Sequence, residues 1–265
     1  MNGLAPHASQ LRTVGRSGAV VERSMRVARR SIVPLVSGFF EPFFYLLALG
    51  VGLGFFIDDV QVDGRSVPYG AFVAPALLAS SAMNGAIYDS TYNVFFKMRF
   101  AKLYDAMIAT PLRPFDIALG EICWSLIRGA AYGAGFLLVM LAMGLITSAW
   151  AFAALPALVL VSFGFAAAGM AVTTFVKSFQ HLDWVTAALI PMFFFSTSFF
   201  PLSVYPAPVQ PIVQALPLYH AIELMRALTL GIPDAGILVH IGYFMVMSVA
   251  GIWLVSRRLH RILQP

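Results

Sequence analysis

Charge is what this chain has least of. Only 11% of its 265 residues are charged while 60% are hydrophobic, and mean hydropathy is +0.83. A soluble domain carries about 25% charged residues, so water is not the main solvent of this chain. Cysteine is nearly absent too. Cys123 stands alone, which excludes an intramolecular disulfide and says nothing about compartment. No H-E-x-x-H, Cys/His cluster or paired-acid spacing is present, which removes the common metal and acid–base centres. Also missing is G-x-x-x-x-G-K-[ST], so the chain has no phosphate-cradling loop of its own.

What is present are long apolar runs. Continuous runs of 18 or more residues indicate helices that cross a bilayer, whereas a barrel would show alternating strands of about ten residues. Six spans are predicted, at about 32–57, 69–92, 117–146, 150–176, 184–200 and 236–255. The first contains Glu41 and Pro42, the second ends near Asp89, and the third holds Glu121 and Arg128. The fold class is therefore all-α and polytopic, in a single domain spanning 1–265. About thirty basic, polar residues precede the first run, so no cleavable signal peptide is expected.

Fourteen of the seventeen lysines and arginines fall on one side of these spans. Arg65 and Arg226 fall on the other, and Arg128 lies within a span. By the positive-inside rule, both termini are expected in the cytoplasm. A pI near 9.6 is then a matter of topology and lipid headgroups rather than of nucleic acid.

Two segments are predicted not to span. In 16–32, Val21, Met25, Ala28 and Ile32 form one stripe and Arg23, Arg26 and Arg30 another, which reads as an amphipathic helix on the membrane surface. In 201–235, six prolines interrupt apolar sequence, which suggests short helices that re-enter the outer leaflet.

The longest charged insert is 93–121. Phe96, Phe100, Leu103 and Met107 repeat at helical spacing, with Arg99, Lys102 and Asp105 on other faces. Thr110-Pro111 ends that helix. The pattern fits an interfacial anchor or a lever gripped by a soluble partner equally well.

Ionisable residues inside a span are costly and are candidate functional groups. Glu121 and Arg128 are two turns apart beside Gly129 and Gly133. The expectation is that they neutralise each other, or Glu41, while the glycines pack helices. Direct contact with a substrate is the less favoured reading. Asp89 is expected to stay solvated, and Glu41-Pro42 to mark a kink. Gly50, Gly52 and Gly54 read as small packing residues. Glu223 and Arg226 are expected to pair at i, i+3. His181, His220 and His240 are spread over separate segments. Phe193–Phe195, Phe199 and Phe200 crowd the outer end of the fifth span, as packing or as an exit gate.

The run Phe-Phe-Lys-Met-Arg-Phe-Ala-Lys-Leu-Tyr-Asp-Ala-Met-Ile-Ala-Thr-Pro-Leu (95–112), with Ala-Leu-Gly-Glu (118–121), resembles the permeases of type-2 ATP-binding-cassette exporters. The nearest likeness is to the nodulation lipo-oligosaccharide branch, followed by daunorubicin-type drug exporters. Glu41-Pro42 and Leu216–Arg226 are similar to that family's other recurrent segments.

The resemblance implies a dimeric permease in the prokaryotic cytoplasmic membrane, paired with a second permease subunit as homo- or heterodimer. It also implies a separate nucleotide-binding ATPase subunit that carries the ATP and Mg, so that this chain holds no cofactor of its own. Segment 95–110 would be the coupling helix, with Phe96, Lys97, Arg99, Phe100, Lys102, Leu103, Asp105, Met107, Thr110 and Pro111 as docking residues. The cargo would be an amphipathic or lipid-linked molecule, moved past Phe194, Phe195, Phe199, Glu223 and Arg226 as a possible outer gate. Two other classes fit the residues less well. One is a membrane-embedded enzyme using Glu41, Asp89, Glu121 and Arg128, and the other is a partner-free carrier.

Overall fold

One helix organises the structure, a computed structural model that describes residues 13–29, 40, 43–57, 59–62 and 64–263. Helix α3, Tyr69–Tyr88, continues through π-helical turns at Asp89–Asn93 and Phe96–Phe100, so the unbroken helix is 32 residues long. Its most apolar stretch is 89% buried, against 17% for the last helix of the chain, which puts α3 at the centre of the bundle. Before it come α1 (Thr13–Ala28), α2 (Phe43–Phe55) and a hairpin, β1 (Val60–Val62) with antiparallel β2 (Arg65–Val67). After it come α4 (Leu103–Ile108), α5 (Pro114–Ala142), α6 (Ala154–Thr173, entered through a 3₁₀ turn) and α7 (Asp183–Phe195). The last three are α8 (Gln210–Ala215), α9 (Pro217–Leu230) and α10 (Gly236–Leu263).

α3 packs against α5, α6 and α9, while α10 covers α6 and α5, and α1 lies on α5. Glycines set these distances. A Cβ on Gly129 would come within 2.7 Å of the Ala82 carbonyl oxygen on α3 and 2.9 Å of Ser162 Oγ on α6. Gly133 meets Leu158 in the same way. The paired glycines of α5 therefore do pack helices, as small residues in membrane helices commonly do. Gly50 approaches Gly70, but Gly52 and Gly54 face open space.

Among the described residues four helices are long and apolar enough to cross a membrane: Tyr69–Phe100, Pro114–Ala142, Ala149–Thr173 and Gly236–Leu263. The predicted first span starts outside the described residues, as do Glu41 and Pro42, and its described part is the shorter α2. The predicted fifth span, 184–200, ends early. α7 has 13 residues, about 20 Å at the α-helical rise and short of the roughly 30 Å hydrocarbon layer. Its stop has a local cause. Ser198 Oγ donates to the Phe193 carbonyl at 2.6 Å, Thr197 Oγ1 donates to the Ser196 carbonyl, and Thr197 takes φ +60°. Side-chain hydroxyls that bond the local backbone compete with helix continuation.

Between α7 and α10 the proline-rich stretch forms a 3₁₀ turn and the short helices α8 and α9. α9 ends at Gly231, φ +69°, the left-handed position that glycine favours after a helix.

Candidate functional site

The predicted single helix over 95–110 is two pieces. Lys102 sits at φ +46°, ψ +33°, a left-handed residue that breaks the chain between the α3 extension and α4. Met98, Tyr104 and Met107 are buried, and Lys97 and Leu103 are half-buried. Phe96, Arg99, Phe100, Lys102, Asp105, Thr110 and Pro111 are exposed. The rings of Phe96 and Phe100 stack at 5.7 Å in the open. Of the ten predicted docking residues, seven are therefore exposed, while Lys97 and Leu103 are half-buried and Met107 is buried. The turn into α5 is held by the Arg113 backbone N–H, which donates to Asp116 Oδ2 at 3.0 Å, with Pro114 in the first helical turn.

Two ion pairs join the α3 extension to α5. Lys97 Nζ reaches Glu121 Oε2 at 2.7 Å, and Arg128 Nη1 reaches Asp89 Oδ1 at 2.7 Å. Both carboxylates are fully buried. Asp89 also accepts from Ser125 Oγ at 3.0 Å and from the Asn93 amide, and Arg128 Nη2 donates to the Tyr132 hydroxyl at 3.0 Å.

Two expectations are corrected here. Glu121 and Arg128 do not neutralise each other, because seven residues put them about 10 Å apart along the axis and the neighbouring helix offers closer partners. Asp89 is not solvated, being 1% exposed. Tyr104, fully buried in α4, faces Glu121. Burial first, and that carboxylate second, hold its phenol well above the usual value, so it stays protonated.

At the other end of the bundle, Phe193, Phe194 and Phe199 form a ring cluster with centroids 5.2–5.7 Å apart. With Tyr45, Leu49 and Tyr88 they line an apolar cavity of about 690 Å³ between α2, α3 and α7. Phe195 is exposed and does not line it. Glu223 does pair with Arg226, and it also accepts from Thr197 Oγ1 at 2.9 Å. Arg226 Nη2 donates to the Thr197 carbonyl at 2.8 Å, and the guanidinium lies 4.1 Å over the Phe72 ring. The pair thus pins the end of α7 to α9 and α3.

A profile of ABC-2 type transporters matches residues 17–230. The chain belongs to the ABC-2 type transporter family. It is 33% identical over 238 residues to Nodulation protein J of Rhizobium leguminosarum bv. viciae, covering 88% of this chain and 90% of that protein. Nodulation protein J of Rhizobium meliloti (strain 1021) is 30% identical over 236 residues, 89% and 88% of the two chains. The inner membrane transport permease YadH of Escherichia coli (strain K12) is 26% identical over 234 residues, 87% of each.

As an ABC-2 type permease, the chain is an integral membrane transport component. The family match runs from α1 through α9, so it takes in the exposed segment, both ion pairs and the apolar cavity. Sequence reasoning missed Lys97 as a partner for Glu121, and Ser125 and Asn93 as partners for Asp89. A charge pattern on one helix gives no sign of what the next helix brings. It also treated the histidines as separate. His181 does stay apart, on Ser178, but His220 and His240 meet with Nδ1 atoms 2.8 Å apart across α9 and α10. Among the described residues no group of three or more metal-ligating side chains forms.

Proposed function

We propose that this ABC-2 type permease is the membrane subunit of an ATP-driven exporter. It lies in the cytoplasmic membrane with both termini inside, and pairs with a second permease subunit of the same or another chain. The ATPase is a separate nucleotide-binding subunit that docks on the surface of Phe96, Arg99, Phe100, Lys102, Asp105, Thr110 and Pro111. One observation carries this reading: the exposed segment begins on the direct continuation of the most buried helix, and that continuation is held to α5 by two ion pairs with buried carboxylates. A push on it is passed into the centre of the bundle rather than absorbed by a loop.

The apolar cavity beside α3 suits an amphipathic or lipid-linked cargo. The reading as an enzyme is disfavoured, because Asp89 and Glu121 are buried and already spent on Arg128 and Lys97.

The test is co-purification with a separately encoded ATPase, followed by charge reversal at Arg99, Lys102 and Asp105 together. Hydrolysis is expected to separate from transport while the permease stays folded. Unchanged coupling would remove the segment from this role, and flux through the purified chain alone in liposomes would favour a partner-free carrier.

A further inference from the structure

Between α1 and the α3 extension is a second cavity, of about 300 Å³, on the opposite side of the ion pairs from the buried acids. Three cations from three different elements line it: Arg23 of α1, Lys97 of the α3 extension and Arg128 of α5. Among the described residues no aspartate or glutamate lines it. Lys97 and Arg128 are each neutralised from behind by Glu121 and Asp89, but a fifth of each side chain remains exposed. Arg23 takes part in none of the four ion pairs among the described residues, since its neighbour Glu22 is paired with Arg26. Three cations therefore stand against two buried acids, and the cation outside the ion pairs, Arg23, is exposed. The rest of the wall is mostly apolar, with Val27, Phe96 and Trp124 prominent, and carries the polar side chains of Ser24 and Asn93.

We propose that this cavity binds a phosphate-bearing anionic amphiphile. Its phosphate would sit against Arg23, with Lys97 and Arg128 as further donors, and its chain would lie over Val27, Phe96 and Trp124. Arginine and lysine recognise phosphate through charge-assisted hydrogen bonds. The apolar wall disfavours a freely soluble anion, whose hydrated surface gains nothing there. The assignment rests on the orientation proposed above, which places the cavity at the inner leaflet where anionic lipids are found. A bound phosphate would tie α1 to the two side chains that clamp the coupling surface, so that lipid composition would act on the same ion pairs as the ATPase.

The test uses the full-length chain without its partner, in nanodiscs of phosphatidylcholine with or without phosphatidylglycerol, followed by native mass spectrometry. Wild type is expected to retain a phosphatidylglycerol adduct that Arg23→Gln loses and Arg23→Lys partly keeps. The weakening in Arg23→Gln should be about tenfold or more, as expected for losing hydrogen bonds to a charged group. Arg261→Gln, the same charge change in the last turn of α10, is expected to behave as wild type. Equal loss in Arg23→Gln and Arg261→Gln would mean diffuse attraction and would overturn the site, as would full retention in Arg23→Gln. Thermal stabilisation by inorganic phosphate equal to that by short-chain phosphatidylglycerol would overturn the amphiphile. If Arg23 proves accessible only from outside while the adduct persists, the orientation fails and the site stands.

Discussion

Removing Arg128 leaves a fully buried carboxylate without its cation, and the size of that effect can be worked from the contacts. In Arg128→Gln, Asp89 loses the 2.7 Å pair but keeps Ser125 Oγ and the Asn93 amide. Breaking a buried pair from one side costs about 3–5 kcal/mol. The surviving donors, and the 20% exposure of Arg128 that already shared its charge with solvent, put this case at the lower end, about 3 kcal/mol. For a chain of this size that corresponds to a fall in Tm of roughly 6–12 °C.

Asp89→Asn is expected to cost less, because the guanidinium it frees can still turn toward water and the Tyr132 hydroxyl. The double variant Asp89→Asn/Arg128→Gln removes both charges and leaves amides able to bond each other, so it should recover about 2 kcal/mol relative to the sum of the singles. The assay is thermal unfolding by size-exclusion chromatography in a neutral detergent, which also keeps anionic lipid out of the cavity that Arg128 lines. Additive singles, or an Arg128→Gln variant as stable as wild type, would refute the claim that this pair holds the α3 extension to α5.

Helix approach gives a second expectation. Gly129→Leu should prevent folding or lower Tm by more than 10 °C, on the order of 3 kcal/mol or more, since the side chain meets the Ala82 carbonyl and Ser162. Gly242→Ala, with nothing within 4 Å, should be silent in the same measurement. At Lys102, φ +46° predicts that Gly is tolerated and that Val costs about 1–2 kcal/mol, read as the difference in Tm between the two variants. If the proposed function holds, filling the apolar cavity with Asn84→Trp should suppress stimulation of the proposed ATPase subunit by a hydrophobic drug or lipid-linked sugar while leaving basal hydrolysis in place.

Much of this arrangement is written in the sequence because it follows from composition and single-helix periodicity. The apolar runs give the helices, the glycine pair of α5 gives a packing face, and Glu223 with Arg226 gives a pair that forms. The amphipathic stripe at the start is legible only in part. α1 buries Ser17, Val20 and Ser24 against α5 near Gly120, with Val21 and Met25 at the edge, because small residues let that helix lie close. Ile32 and Arg30, the ends of the predicted stripes, lie outside the described residues. What a single helix cannot reveal is its neighbour. Lys97 and Glu121 are 24 residues apart, Asp89 and Arg128 are 39 apart, and His220 and His240 are 20 apart.

The α3 extension shows why periodicity itself misleads at the site that matters most. In an α-helix of 3.6 residues per turn, positions four apart drift by about 40°, so Asp89, Asn93 and Lys97 would spread across about 80° of one face. A π turn, bonded i to i+5, holds more residues per turn than an α turn, so its residues lag instead of leading. Mixing π turns at Asp89–Asn93 and Phe96–Phe100 with α-helix offsets the two drifts. Asp89, Asn93 and Lys97 then stand in one row. Opposite them on antiparallel α5, Glu121, Ser125 and Arg128 form a second row at i, i+4 and i+7, the ordinary α-helical face. The rows meet in reverse order, with Lys97 on Glu121 and Asp89 on Ser125 and Arg128. π turns are commonly found at functional sites, and here the reason is specific. Returning this stretch to pure α-helix would turn Lys97 relative to Asp89 about the helix axis, so the Lys97–Glu121 pair is expected to be the more sensitive of the two to how the extension is wound.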